Sequence, residues 1–205
     1  MRGIKPVYKL LGRKTSGNVQ KVLFMLEELG VAYERIDYGR QFENTATPEY
    51  RALNPTSKVP TLLDGDTAIW ESNTILRYLA AEEGAGLSGA TPAERTDVER
   101  WMDFLLGAVN PGYMAAFKGA KLTLEEQTAE SKEQVRDLVA QMAIIDGHLA
   151  GKDFLALGRF SIADVAFGPI MKRCLDFKTG RPALPNLERW MAAIAARPAF
   201  KAATA

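Results

Sequence analysis

The 205-residue chain has little of what most catalytic chemistries require, with one cysteine, Cys174, and one histidine, His148. A lone cysteine closes no intramolecular disulfide and fits a reducing compartment. One histidine and one cysteine build no zinc site without carboxylates. Neither HExxH nor CxxC spacing occurs, so metal chemistry and dithiol redox chemistry are set aside. No run of about 18 apolar residues is present to span a bilayer. The opening MRGIKPVYKLLGRK has only Val7 to Leu11, interrupted by Lys9, where a secretion signal needs a longer apolar core, so the expected location is the cytoplasm. Charge of one sign is also missing. The 26 Lys plus Arg against 25 Asp plus Glu leave +1, which gives no general attraction to nucleic acid or to a membrane surface.

Apolar residues are plentiful: 47% of the chain is hydrophobic, enough to bury the core of one large or two small domains. Pro6 to Leu11 reads as a first strand and Gly12 to Gly17 as a polar connection. From Asn18 a helix is expected, with Val22, Leu23, Met25, Leu26 and Leu29 at helical spacing and Gly30 ending it as a C′ glycine. Val31 to Tyr38 alternates well enough for a second strand, parallel to the first through a right-handed crossover. Gly39 to Leu53 is irregular, with at most a short helix at Pro48 to Leu53.

The stretch from Asn54 to Tyr78, NPTSKVPTLLDGDTAIWESNTILRY, organises the rest. Lys58 to Leu62 is an apolar strand, Asp64-Gly65 turns a hairpin, and Thr67 to Trp70 supplies the returning strand. Glu71-Ser72-Asn73 stands where a helical apolar pattern begins (Ile75, Leu76, Tyr78, Leu79), running to about Glu83. The order βαβ-α-ββα over residues 1–84 is an α/β, thioredoxin-like arrangement.

Gly84 to Gly89 is glycine-rich and marks a domain boundary, after which no strand signal recurs. Residues 91–205 read as an all-α domain. Thr91, Pro92 and Glu94 form a capping box with proline at the first position. Trp101, Phe104, Leu105 and Ala108 line that helix until Pro111-Gly112 kinks or breaks it. A long helix is expected from Thr123 or Leu124 to about Leu149. Ser161 and Asp164 have capping-box spacing, with Phe160 and Val165 placed as a hydrophobic staple, and losing the Asp164 cap should cost about 1 kcal/mol or somewhat more. Leu187 to Ala196 is the last clear helix, ended by Arg197-Pro198.

Two features of the central hairpin suit a ligand. Val59-Pro60 opens a strand, and X-Pro is the one bond where cis is cheap; in that form Val59 offers its N–H and C=O to a ligand's backbone, as in strand addition. A few residues on, the free N–H groups at the Ser72 helix start, with the Ser72 hydroxyl, form a carboxylate site. The ordinary readings are an edge-strand stop for Pro60 and an N-cap for Ser72.

The string NPTSKVPTLLDGD…WESNTILRYLA resembles the glutathione-binding half of the soluble glutathione S-transferases, and the likeness extends over nearly the whole chain. It implies a transferase that adds the glutathione thiolate to small electrophiles, with hydroperoxide reduction as a second activity. Conjugation needs a thiolate, which a hydroxyl donor and a helix N-terminus stabilise. Matched on Leu29-Gly30, the serine-type branch puts its catalytic serine on Ser16. Gly-Asn-Val-Gln-Lys then replaces the usual Ser/Gln-Pro-Cys-Arg, so Thr15 and Asn18 stay as rival donors, and Ser16 as a plain N-cap is the competing reading. Tyr8 lies too early to act as a tyrosine-type donor. By the same resemblance Val59, beside Pro60, pairs with the cysteinyl backbone of glutathione, Lys58 approaches the glycyl carboxylate, and Glu71 with Ser72 binds the γ-glutamyl end. Nothing distinguishes Arg13 or Arg40.

The second substrate, apolar and electrophilic, is expected between the domains, with two or three of Trp101, Phe104, Tyr113, Met114 and Phe117 lining its site. Cys174 is expected to be a small core residue and His148 an exposed helix-end residue. A two-fold homodimer follows from the family, with the Ser72 helix and the Trp101 helix at its interface. The alternative is a transferase-like binding or regulatory protein without activity. A reductase using an active cysteine lacks that residue in the first loop.

Overall fold

The computed structural model describes residues 7–84, 86–123 and 125–205. The chain divides into two compact units, Met1–Ala85 with Pro198–Ala205, and Gly86–Arg197. In the first, β1 (Tyr8–Leu11), α1 (Gly17–Leu29) and β2 (Tyr33–Ile36) are followed by α2 (Pro48–Leu53), the hairpin β3 (Thr61–Asp64) and β4 (Thr67–Trp70), and α3 (Ser72–Glu83). The sheet order is β2-β1-β3-β4. β1 runs parallel to β2, with Leu10 opposite Arg35, and antiparallel to β3, with Leu10 opposite Leu62.

The strands are shorter than the apolar patterns suggested, because pairing rather than hydrophobicity ends them. β2 stops at Ile36, and the chain beyond is held by Gly12 and Arg13, whose N–H groups donate to Ile36 O and Tyr38 O at 2.8 and 3.1 Å. Pro6, forecast as the start of β1, lies outside the described residues, as does Ala85 of the boundary loop. α1 closes at Gly30 (φ 62°), the left-handed position that favours glycine. Its residues Val19 to Leu26 are buried without interruption, Gln20 and Lys21 included.

The second unit is helical. α4 (Pro92–Phe104) opens with the expected capping box, Thr91 Oγ1 accepting from Glu94 N–H at 3.2 Å. Pro111 does not break the rod. Residues Leu105–Val109 widen into a π-helical turn, where Asn110 N–H reaches back to Leu105 O, and α5 (Asn110–Gly119) continues with Pro111 in its first turn. The extra residue accommodates a ring that lacks an N–H and would collide with the preceding turn. α6 (Ala129–His148) starts later than forecast. Thr123 and Glu126 do exchange bonds like a helix start, but Thr128 caps the long helix by accepting from Ser131 N–H at 3.1 Å. Leu124 lies outside the described residues.

α7 (Ile162–Asp176) is buried from Ile162 to Met171, and α8 (Pro185–Ala196) follows. Asp164, fully buried, accepts at Oδ1 from Leu155 N–H (3.0 Å) and Trp190 Nε1–H (2.9 Å), and at Oδ2 from Ser161 N–H (3.0 Å) and Ser161 Oγ–H (3.1 Å). Pro198 does not merely end α8 but opens α9 (Pro198–Thr204), since proline is tolerated in a first helical turn. The domain forecast over 91–205 therefore ends early. α9 packs on α1 in the first unit, with Phe200 edge-on to Phe24 at 5.2 Å.

Candidate glutathione site

The loop between β1 and α1 is held from both sides. Arg35 Nη1 donates to Gly12 O at 3.0 Å, and Ser16 N–H donates to Arg13 O at 3.1 Å. Gly12 lets the loop lie close against α1, since a Cβ there would lie 2.5 Å from Val19 Cγ2. Ser16 stands at the N-cap position of α1, and its C=O accepts from Gln20 N–H at 2.9 Å. Its side chain makes no capping bond, although the residue is buried at 8% exposure. Thr15 and Asn18 are exposed. Asn18 Oδ1 accepts from Ser72 Oγ–H at 3.4 Å, which brings the first loop and the start of α3 together. Tyr8 is not free to serve: it is buried, its hydroxyl donates to Glu83 at 2.7 Å, and burial with that carboxylate pushes its pKa well up.

The Val59-Pro60 bond is cis. Residues before it are braced by α2, which the sequence reading left out of the site. Buried Tyr50 donates through its hydroxyl to Lys58 O at 2.5 Å, and Asn54 Nδ2 donates to Lys58 O and to Thr61 Oγ1, both at 3.0 Å. Asn54 Oδ1 meanwhile accepts from Thr56 N–H at 3.0 Å and Thr56 Oγ–H at 2.7 Å, so every polar atom of this buried amide is used. The Lys58 side chain is exposed and Val59 half-buried.

At the far end of the hairpin the N-cap of α3 is Glu71, with φ 67° and ψ 118°, and Ser72 is the first helical residue, so Ser72 is not the N-cap. Glu71 is exposed while Ser72 and Asn73 are buried. Lys21 of α1, missed by sequence reading, is 1% exposed. Burial lowers its pKa to about 7, and the Glu71 carboxylate pulls the other way. Its signal was its place between Val19 and the apolar run from Val22 to Leu26, all buried. α1, α3, α5 and α9 have no acidic residue in the first turn, and of these α3 has Glu71 at its N-cap.

Both halves of the chain match family models, the glutathione S-transferase N-terminal domain over residues 15–82 and the C-terminal domain over residues 99–198. Glutathione S-transferase GstB of Escherichia coli K12 is 34% identical over 201 residues, covering 94% of this chain and 95% of its own. The chain belongs to the glutathione S-transferase family. A theta class glutathione S-transferase from Xanthomonas axonopodis pv. citri, solved with glutathione bound, matches this transferase with a TM-score of 0.90 at 37% identity over 97% of both chains. Glutathione S-transferase 4 of Zea mays is 32% identical over 202 residues, covering 95% and 90% of the two chains.

Within the helical unit of this transferase the five forecast electrophile residues fall into two groups. Trp101 packs against His148 (4.3 Å), Phe104 (5.7 Å) and Phe167 (6.3 Å). His148 is therefore half-buried rather than exposed, with Nε2 2.8 Å from Leu155 O. Tyr113 instead meets Phe117 at 6.2 Å and stacks on Phe177 at 6.1 Å, and its hydroxyl accepts from Arg173 Nη1–H at 3.4 Å. Met114 is exposed on the same helix. Phe177, which sequence spacing did not single out, also lines a cavity of about 430 Å³ with Ala116, Gly119, Val135 and Thr179. Cys174 is fully buried, and burial pushes its thiol up to about 12, so it stays protonated. No described helix is long and apolar enough to cross a membrane.

Proposed function

We propose that this transferase joins the sulfur of glutathione to small apolar electrophiles, with Ser16 as the donor that stabilises the thiolate. The observation that carries the assignment is Ser16, 8% exposed at the start of α1, whose hydroxyl makes no capping bond to its own helix. A free cysteine thiol titrates near about 8.5. A hydroxyl donor and an uncompensated helix N-terminus both favour its anion. The thiolate then attacks the electrophilic carbon; with chlorodinitrobenzene the C–S bond forms, the C–Cl bond breaks and chloride leaves.

In this reading Val59 pairs its backbone with the cysteinyl residue, beside Pro60, and the exposed Lys58 ammonium meets the glycyl carboxylate. Glu71 accepts from the γ-glutamyl ammonium, while the N–H groups at the start of α3 and the Ser72 hydroxyl take the α-carboxylate. Tyr113, Met114 and Phe117, joined by Phe177, are assigned to the electrophile. Trp101 and Phe104 are assigned to packing. A two-fold homodimer, a cytoplasmic location and a slower reduction of hydroperoxides by two glutathiones complete the reading, which rests for these finer points on family membership.

Ser16→Ala is expected to keep glutathione binding. Its chlorodinitrobenzene turnover should fall roughly ten- to a hundredfold, the loss of one hydrogen bond to a charged group. The pH at which bound thiol ionises, followed by thiolate absorbance, should rise. Unchanged turnover and ionisation would remove Ser16 from the role, and the same assay on Thr15→Ala and Asn18→Ala would show where it lies. Binding without any conversion by the unaltered protein would favour the inactive binding protein.

A further inference from the structure

The cavity of about 430 Å³ in the helical unit is lined by the end of α5, the connection to α6, Val135 of α6, and the chain from Asp176, the last residue of α7, to Thr179. Its size falls within the range of about 300–1,000 Å³ in which small-molecule sites lie, and such sites are mostly apolar with a few polar groups that orient the ligand. Ala116, Gly119, Val135 and Phe177 supply the apolar part. Gln127 is fixed at the edge, its Nε2–H donating to Gly119 O at 3.2 Å, and a Cβ on Gly119 would already lie 3.4 Å from Gln127 Cδ. Phe177 also stacks on Tyr113, so the cavity is continuous with a residue assigned to the electrophile.

One polar atom of the lining is unanswered. Thr179 Oγ1 is buried and hydrogen-bonds to none of the described residues. Its backbone is fixed beside Phe177, since Thr179 N–H donates to Phe177 O at 2.9 Å in a tight turn. Burying a hydroxyl without a partner costs stability, and valine would fill the same volume without that cost. A threonine kept in this place is explained by a partner that arrives from outside. The charged residues of the lining do not select that partner. Asp176 is ion-paired to Lys172 at 3.0 Å, and both Asp176 and Lys178 are exposed to water, where such charges contribute little. Hydrogen bonding and apolar contact therefore set what the interior accepts.

We propose that Thr179 is a specificity-determining residue for the second substrate, its hydroxyl donating to a neutral acceptor, such as a carbonyl oxygen, on an aromatic electrophile whose ring lies against Phe177 in this cavity. The inference rests on the transferase reading above and narrows it to a substrate class: uncharged aromatic electrophiles that carry a hydrogen-bond acceptor besides the reactive carbon. An aromatic wall favours an aromatic body. A site with a hydroxyl to satisfy rejects the analogue that lacks the matching group, because the hydroxyl is then left unanswered, whereas a purely apolar pocket separates the two only weakly.

The test compares para-acetylbenzyl chloride with para-isopropylbenzyl chloride, which have nearly the same shape while only the first carries a carbonyl oxygen. With either, the glutathione thiolate forms a C–S bond at the benzylic carbon, the C–Cl bond breaks, chloride leaves, and the thiol proton goes to solvent. Loss of free thiol gives kcat/KM for the unaltered protein, Thr179→Val and Thr179→Ser, with a melting curve for each. Intrinsic reactivity cancels when the acetyl-to-isopropyl ratio is compared between proteins. That ratio is expected to fall about tenfold in Thr179→Val and to be kept in Thr179→Ser, with Thr179→Val melting at an unchanged or higher temperature. An unchanged ratio in Thr179→Val, whether both chlorides slow together or neither does, would mean that the hydroxyl holds water only and would overturn the proposal. So would a ratio lost equally in Thr179→Ser, or a Thr179→Val protein that melts several degrees lower, which would show the hydroxyl to be bonded within the fold. Conversion of chlorodinitrobenzene but of neither benzyl chloride would overturn it too. Conversion of none of the three by the unaltered protein would instead remove the transferase reading itself, and this inference with it.

Discussion

At the scale of residues, Lys21 is 1% exposed, and that burial has a pH signature. The folded protein releases this proton near about 7, whereas the unfolded chain holds it to about 10.4. Between those values the unfolded state binds more protons, so the residue makes stability rise with pH from neutrality toward about 10. Thermal melts should show the advantage of Lys21→Met over the unaltered protein largest at about pH 6 and shrinking toward pH 10. A difference that is constant across that range would mean that Lys21 keeps an ordinary pKa. The motif residues Val59, Pro60, Glu71 and Ser72 were legible because each carries a local signature of its own, a proline or a helix start. Lys21, Tyr50 and Asn54 were not, because the burial of Lys21 and the loop partners of the other two, 4 to 11 positions away, are set by tertiary packing.

At the scale of elements, Asp164 shows how far a correct local reading falls short. As a cap its loss would cost about 1 kcal/mol. The structure adds Leu155 N–H and Trp190 Nε1–H to its partners, so one carboxylate ties the start of α7 to the preceding loop and to α8. Asp164→Ala would leave those buried donors unanswered, and a destabilisation of roughly 3 kcal/mol or more is expected in denaturant unfolding. A loss near the cap value alone would mean that the two long-range bonds contribute little. Pro111 teaches the opposite lesson. Its chemistry forbids an ordinary helical turn, but the π-helical turn Leu105–Val109 is a second way to satisfy it, and sequence does not choose between breaking a helix and widening one. The start of α6 was missed for a similar reason, since Thr123 and Thr128 both offer capping geometry and only one is followed by the long helix.

At the scale of the whole molecule, the last helix crosses the boundary drawn from composition. Phe200 and Ala203, three residues apart on α9, are buried in the unit that contains α1. Phe200→Ala should therefore cost roughly 3 to 5 kcal/mol. Hydrogen exchange should place the loss in α1 and α9 rather than in α4 to α8. Faster exchange confined to the helical unit would contradict this assignment. By itself the amino-acid sequence determined the order βαβ-α-ββα followed by helices, the hairpin turn, the caps of α4 and α7, and the residues by which the transferase family is recognised. All of these are set by interactions within a few positions along the chain, where spacing and side-chain chemistry are already explicit. Only the tertiary structure decided which unit owns α9, that Asp164 reaches Trp190, and that Lys21 is buried. These depend on where distant segments meet, and burial and charge pairing acquire a sign and a size only once they do.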